Sequence, residues 1–248
     1  MSGHSKWSTI KRKKGAKDAQ RSKLFSKLIK EVTVAARLGG GDPEGNPRLR
    51  LAVGKAREAN MPAENIKRAI QKGTGELEGV HYEEVVYEAY GPGGVAMLIE
   101  ALTDNRNRTV GEVRFVLDRK GGKLAATGAV SHLFTTTGYI AIERAQLDED
   151  TLMSAALEAG AQDVRSDADL FEVLTDPADL VHVAEKLKSA GVSVDSAEIS
   201  RLPSITVQLE GKPAQSMLHL VDALEDLDDV QKIYANFDIS AEEMAKVE

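Results

Sequence analysis

Lys6, Lys11, Arg12, Lys13, Lys14 and Lys17 crowd the first seventeen positions, with Trp7 among them. Arg21, Lys23, Lys27 and Lys30 continue the charge, the three lysines at i, i+4 and i+7. Side chains of this kind neutralise phosphates and release the counterions condensed on a polyanion. A tryptophan beside them can stack on an unpaired base or wedge into a groove. The chemistry is that of binding. Three competing readings are a solvated basic tail, docking on acidic protein (a partner or the rest of this chain), and a membrane-surface segment. The last needs a free apolar face, which the helices described below require for their own core.

The charge is segregated along the chain. Residues 1–75 carry 18 Lys and Arg against 6 Asp and Glu, a net of +12, whereas residues 76–248 carry 14 against 33, a net of −19. A pI near 5.4 therefore conceals a basic end on an acidic protein. Such an end builds a local positive field while net negative charge keeps the whole soluble. Nucleic acid is the expected partner, and no membrane is.

Other chemistry is sparse. Cysteine is absent, which excludes disulfides, thiolate zinc and a cysteine nucleophile. His4, His81, His132, His182 and His219 are scattered without metal-ligand spacing, and no nucleophile elbow or phosphate loop occurs. Neither a metal nor a cofactor is expected, nor catalysis. Gly73-Thr74-Gly75 with Gly79 reads as a linker. Arg106 and Arg108 stand where a strand gives way to a helix, so they form a candidate secondary phosphate site; a capped loop with solvated arginines competes. Glu225-Asp226-Leu227-Asp228-Asp229 lacks the spacing of a calcium loop and reads as a solvated helix end. Tyr139 and Phe171 invite comparison with base-stacking aromatics, but residues 138–202 carry 5 basic and 14 acidic side chains, a sign that repels phosphate. Both are expected in a core or on an ordinary surface.

The elements that carry these residues follow from periodicity. After an arm over 1–17, apolar residues Leu24, Phe25, Leu28, Ile29, Val32 and Ala36 predict a helix from an Asp18 cap to Gly39-Gly40-Gly41. Asn46-Pro47 starts a second helix with Leu49, Val53 and Ala56 inward, and Met61-Pro62 a third with Ile66, Ala69 and Ile70, closing at Gly73. Strands are predicted over 85–90 and 95–102 around Gly91-Pro92-Gly93-Gly94, then a helix from a capping box at Thr109 to about Lys120, and an extended stretch over 123–135. Residues 138–201 read as βαββαβ, the ferredoxin-like plan. A strand (205–209), a helix (213–224) and a strand (231–237) complete the preceding ββαβ. The expected organisation is α+β: a basic arm and helical domain over 1–80, a discontinuous α/β domain over 81–137 and 203–248, and an inserted domain over 138–202. No apolar run reaches the ~18–20 residues of a spanning helix and no apolar leader is present. The expected location is the cytoplasm.

Gly3-His4-Ser5-Lys6-Trp7, Ile10-Lys11, Lys13-Lys14, Asn60-Met61-Pro62, Tyr90-Gly91-Pro92-Gly93-Gly94 and Leu102-Thr103-Asp104-Asn105 together resemble the YebC/PmpR family over essentially the whole chain. That resemblance implies a helical N-terminal domain and two ferredoxin-like α/β domains without catalytic activity. It implies a DNA-binding transcriptional regulator. The alternative it carries is a ribosome-associated translation factor that binds rRNA or tRNA and relieves stalling at proline-rich stretches.

Overall fold

The computed structural model describes residues 18–144, 148–166, 170–240 and 243. In chain order the helices are α1 (Asp18–Gly39), α2 (Pro47–Glu58), α3 (Ala63–Thr74), α4 (Arg106–Arg119), α5 (Glu149–Ala159), α6 (Leu180–Ser189) and α7 (Gly211–Glu225). The strands are β1 (Glu83–Tyr90), β2 (Ala96–Thr103), β3 (Lys123–Leu124), β4 (Phe134–Glu143), β5 (Asp163–Ser166), β6 (Leu170–Thr175), β7 (Ser196–Pro203), β8 (Val207–Gln208), β9 (Val230–Ala235) and β10 (Phe237–Asp238). The chain divides into two compact units, one of residues 134–204 and one of the residues on either side of that segment. The fold is mixed α and β, built from helices and antiparallel sheets, as the alternation of periods predicts.

In the larger unit α1, α2 and α3 bury Val32, Ala36, Leu49, Val53, Ala56 and Ile66 together. Asn46 joins two helix ends. Its side-chain oxygen accepts from the Leu49 N–H at 3.1 Å, while its amide donates to the Ala35 and Gly40 carbonyls, each at 2.8 Å. Gly40 takes φ 87°, the left-handed turn that stops α1. Leu24, expected in the apolar stripe, is instead 43% exposed. Eight residues before Val32, a helix has turned roughly 80° away from it. Gly73 does not end α3, which runs on to Thr74 with left-handed Gly75 after it. Its role is close packing: a Cβ there would lie 2.3 Å from the Thr33 carbonyl oxygen of α1.

The same unit holds a sheet in the order β3-β1-β2-β9, antiparallel throughout, with Tyr87 opposite Ile99 and Ile99 opposite Ile233. Helices α4 and α7 pack Val113, Leu117, Met217 and Val221 with Met97 and Ile99. Strands β8 and β10 form a separate parallel pair. Of the extended stretch expected over 123–135, Lys123–Leu124 pairs with β1 and Phe134–Thr135 opens β4, while residues 125–133 form no strand. The rest is a loop whose Gly128, Val130 and Ser131 amides donate to the buried Glu88 carboxylate at 2.6, 2.6 and 2.9 Å. Those bonds take the place of a strand ladder and hold the Glu88 carboxyl below its usual range, against the opposing effect of burial.

In the unit of residues 134–204 the sheet order is β5-β6-β4-β7, again antiparallel. Strand β4 starts earlier than the sequence suggests because Phe134–Thr137 pair with Ser200–Pro203. Asp148 caps α5 by accepting from the Thr151 N–H at 3.3 Å. Ile140, Ile142, Phe171 and Val173 are buried with Leu152, Val183 and Leu187. Phe171 is 1% exposed, and Tyr139 is 6% exposed with its hydroxyl donating to Glu172 Oε1 at 2.8 Å. Both are interior residues, which rules out open base-stacking faces.

Candidate nucleic-acid interface

Lys6, Trp7, Lys11, Arg12, Lys13, Lys14 and Lys17, like the side chain of Asp18, lie outside the described residues. Helix α1 carries the other four candidates. Arg21 is exposed, its guanidinium 5.3 Å from the Phe25 ring centroid. The three lysines are engaged within the chain. Lys23 donates to Asp226 Oδ1 at 3.1 Å, and Lys27 to the Glu225 carbonyl at 2.6 Å. Lys30 donates to the Asp228 carbonyl at 3.0 Å and to Asp229 Oδ1 at 2.6 Å. Their i, i+4, i+7 spacing places one row of ammonium groups along the last turn of α7, whose free carbonyls and negative dipole end attract cations.

The stretch from Glu225 to Asp229 is therefore the receptor of that lysine row, which corrects its reading as a solvated helix end. Among the described residues no cluster of acidic and histidine side chains suited to a metal is present. Asp229 is its centre. Only 3% exposed, it binds Lys30 through Oδ1 and, through Oδ2, both Arg108 Nη2 at 2.6 Å and the Thr109 hydroxyl at 2.7 Å. Burial alone would raise its pKa, yet the bonds from Lys30, Arg108 and Thr109 prevail and hold it down at about 2. A second tie joins bundle to sheet: Arg48 donates to Glu31 at 2.8 Å and pairs with Glu84 of β1 at 2.7 Å.

Arg106 and Arg108 stand at the start of α4, capped by Asn105, whose side chain accepts from the Arg108 N–H at 3.1 Å. The helix thus starts three residues before the capping box expected at Thr109. Thr109 is instead a buried first-turn residue whose hydroxyl serves Asp229. Arg106 pairs with Glu83 at 2.5 Å, and Arg108 also holds Asp104 at 2.7 Å. Both guanidinium groups are thus paired with carboxylates of this chain. The adjoining cleft of about 580 Å³ includes Lys23, Lys30, Tyr82, Asp104, Asp226 and Asp228. Its carboxylates outweigh its cations, and burial raises the Tyr82 pKa.

Arg57 on α2 and Lys67, Arg68 and Lys72 on α3 are exposed. Lys67 and Arg68 lie on α3 beside half-buried Asn65. Among the described residues no helix is long and apolar enough to cross a membrane.

Two family models match this chain: the TACO1/YebC protein N-terminal domain over residues 5–76 and the TACO1/YebC second and third domain over residues 82–237. A "probable transcriptional regulatory protein" of Geobacter sulfurreducens is 59% identical over 247 residues, covering 100% of both chains. Relatives of the same name from Desulforapulum autotrophicum and Pelotomaculum thermopropionicum are 55% and 56% identical, over 98% and 96% of this chain and 98% and 99% of their own lengths. A crystal structure of a conserved hypothetical protein from Aquifex aeolicus superposes with a TM-score of 0.82 at 52% identity, over 90% of this chain and 92% of that one.

Proposed function

Since the chain belongs to the TACO1/YebC family, we propose that it is a nucleic-acid-binding regulator of gene expression that acts on DNA in transcription, in the cytoplasm, by binding rather than catalysis. The observation that carries this reading is the segregation of charge, +12 over residues 1–75 against −19 beyond. The name shared by relatives such as the Geobacter protein supports regulation. Lys6, Lys11, Arg12, Lys13, Lys14 and Lys17 neutralise phosphates, and Trp7 stacks or wedges. Exposed Arg21, Lys67 and Arg68 extend the field. Lys23, Lys27 and Lys30 fasten the helical bundle to the end of α7. Arg108 serves the same joint through Asp229, and Arg106 pairs with Glu83 of β1, so the two form at most a secondary phosphate site.

In this reading residues 1–80 are the binding domain, 81–137 with 203–248 a discontinuous α/β domain, and 138–202 an inserted ferredoxin-like domain. The order β5-β6-β4-β7 supports that last assignment. The net negative charge of the α/β domains favours duplex contact at the basic end. Crosslinking in cells followed by sequencing of the attached nucleic acid tests the proposal. Recovery of promoter DNA is the expected result. Recovery of ribosomal or transfer RNA in its place overturns the DNA assignment.

A further inference from the structure

Resting on the nucleic-acid reading above, we propose that the groove between the Tyr90–Gly94 loop and Gly121–Lys123 holds an unpaired nucleotide of single-stranded DNA or RNA. The groove measures about 490 Å³ and its floor is mostly main chain. Gly93, Gly94 and Gly121 take φ of 76°, 78° and 79°, a region that disfavours any side chain. At Gly94 a Cβ would meet nothing within 4 Å, so the space above the backbone there is open to a ligand. The turn beneath is locked. A Cβ at Gly91 would lie 2.7 Å from Met217 Sδ, and one at Gly93 2.5 Å from Leu209 Cδ2, so the loop lies tight on the core and the groove is preformed.

The rim has the chemistry of a nucleotide site. Lys123 Nζ stands 5.7 Å from the Tyr90 ring centroid. Beyond the groove's own lining, on the last turn of α4 that leads into Gly121, the Arg119 guanidinium lies 5.4 Å from the ring of Phe115, which is 59% exposed. Aromatic faces with adjacent cations are what unstacked bases and their phosphates select. Residues 114–123 contain Arg114, Arg119, Lys120 and Lys123 against Asp118 alone, within a region where acids outnumber bases 33 to 14. The C-terminal dipole of α4 opposes an anion with about half a charge, against three full charges on Arg119, Lys120 and Lys123. A preformed groove of this size admits one nucleotide, not a duplex.

The test uses the full chain with fluorescein-labelled oligothymidylate, oligouridylate and a DNA duplex. Lys120 and Lys123 are exposed, so Lys120→Glu/Lys123→Glu leaves the fold intact. It is expected to weaken single strands by about tenfold or more and to lower the salt slope by roughly 0.7 per lost contact. Phe115→Ala is expected to weaken them about fivefold or more. Duplex affinity stays within about twofold, and the two single-stranded probes separate DNA from RNA as the source. Unchanged single-strand affinity, or an equal loss on duplex, overturns the groove. Reversing Lys11, Arg12, Lys13 and Lys14 to Glu, read on the duplex, tests the arm separately. An unchanged duplex affinity there with a groove-dependent single strand removes the arm and keeps the groove, and the opposite pattern removes the groove alone.

Discussion

Lys30 and Asp229, 199 positions apart in sequence, meet in an ion pair of 2.6 Å with their side chains 13% and 4% exposed. The pair joins the basic helix to the acidic turn after α7, and Arg108 and Thr109 complete the carboxylate's shell. Docking of basic side chains on acidic parts of the same chain, one of the readings open from sequence, thus holds for the lysine row of α1. Its three lysines are engaged at that joint.

Asp229→Asn leaves Lys30 and Arg108 facing a neutral group. Breaking a buried pair on one side costs about 3 kcal/mol or more, so the urea midpoint should fall accordingly. Adding Lys30→Met removes the stranded charge and should recover part of the loss, a coupling that a double-mutant cycle reads directly.

Acid should weaken the protein through the same residue. The Asp229 carboxyl is held at about 2, below the ordinary ~3.9 of the unfolded chain, so between those values the unfolded state takes up a proton that the folded state refuses. The stabilisation, on the order of 2 kcal/mol, is complete above about pH 4 and is lost as pH falls towards 2. Glu88, also depressed, adds in the same direction. Denaturation midpoints across that window should slope upward with pH, and the slope should shrink in Asp229→Asn.

Glu88→Ala removes the acceptor of three backbone amides and leaves them without partners under the loop. A loss of about 3 kcal/mol is expected, along with faster hydrogen exchange at Gly128, Val130 and Ser131. Exchange confined to those amides, with the helical bundle unchanged, identifies the carboxylate as the loop's anchor.

Gly73→Ala forces α1 and α3 apart, since the new methyl meets the Thr33 carbonyl and the Ala36 side chain. Overpacking of this kind costs about 1–3 kcal/mol. Thermal melting should show it, whereas Gly54→Ala, at a position with nothing within 4 Å, should be neutral or slightly stabilising.

The helices were legible because apolar residues repeat at a helical period within each (Leu28, Val32 and Ala36; Leu49, Val53 and Ala56; Ile66, Ala69 and Ile70), and Asn46 announces its own cap. The residue 123–135 segment misled because its apolar residues suggest a strand while its amides are claimed by Glu88, a partner some forty positions earlier. The lysine row was legible as a row but not in its partner. Spacing reveals which side chains share a face, whereas the acidic turn at 225–229 reaches them only through the fold. Gly73 likewise reads as a stop until α1 is seen against it.

The basic end is proposed to bind nucleic acid. The affinity of the full chain for duplex DNA, measured across salt concentrations with and without Lys11, Arg12, Lys13 and Lys14 reversed to Glu, tests it most directly. Loss of binding with a flattened salt slope is predicted, by roughly 0.9 for each phosphate contact removed. Unchanged affinity at low salt would contradict it.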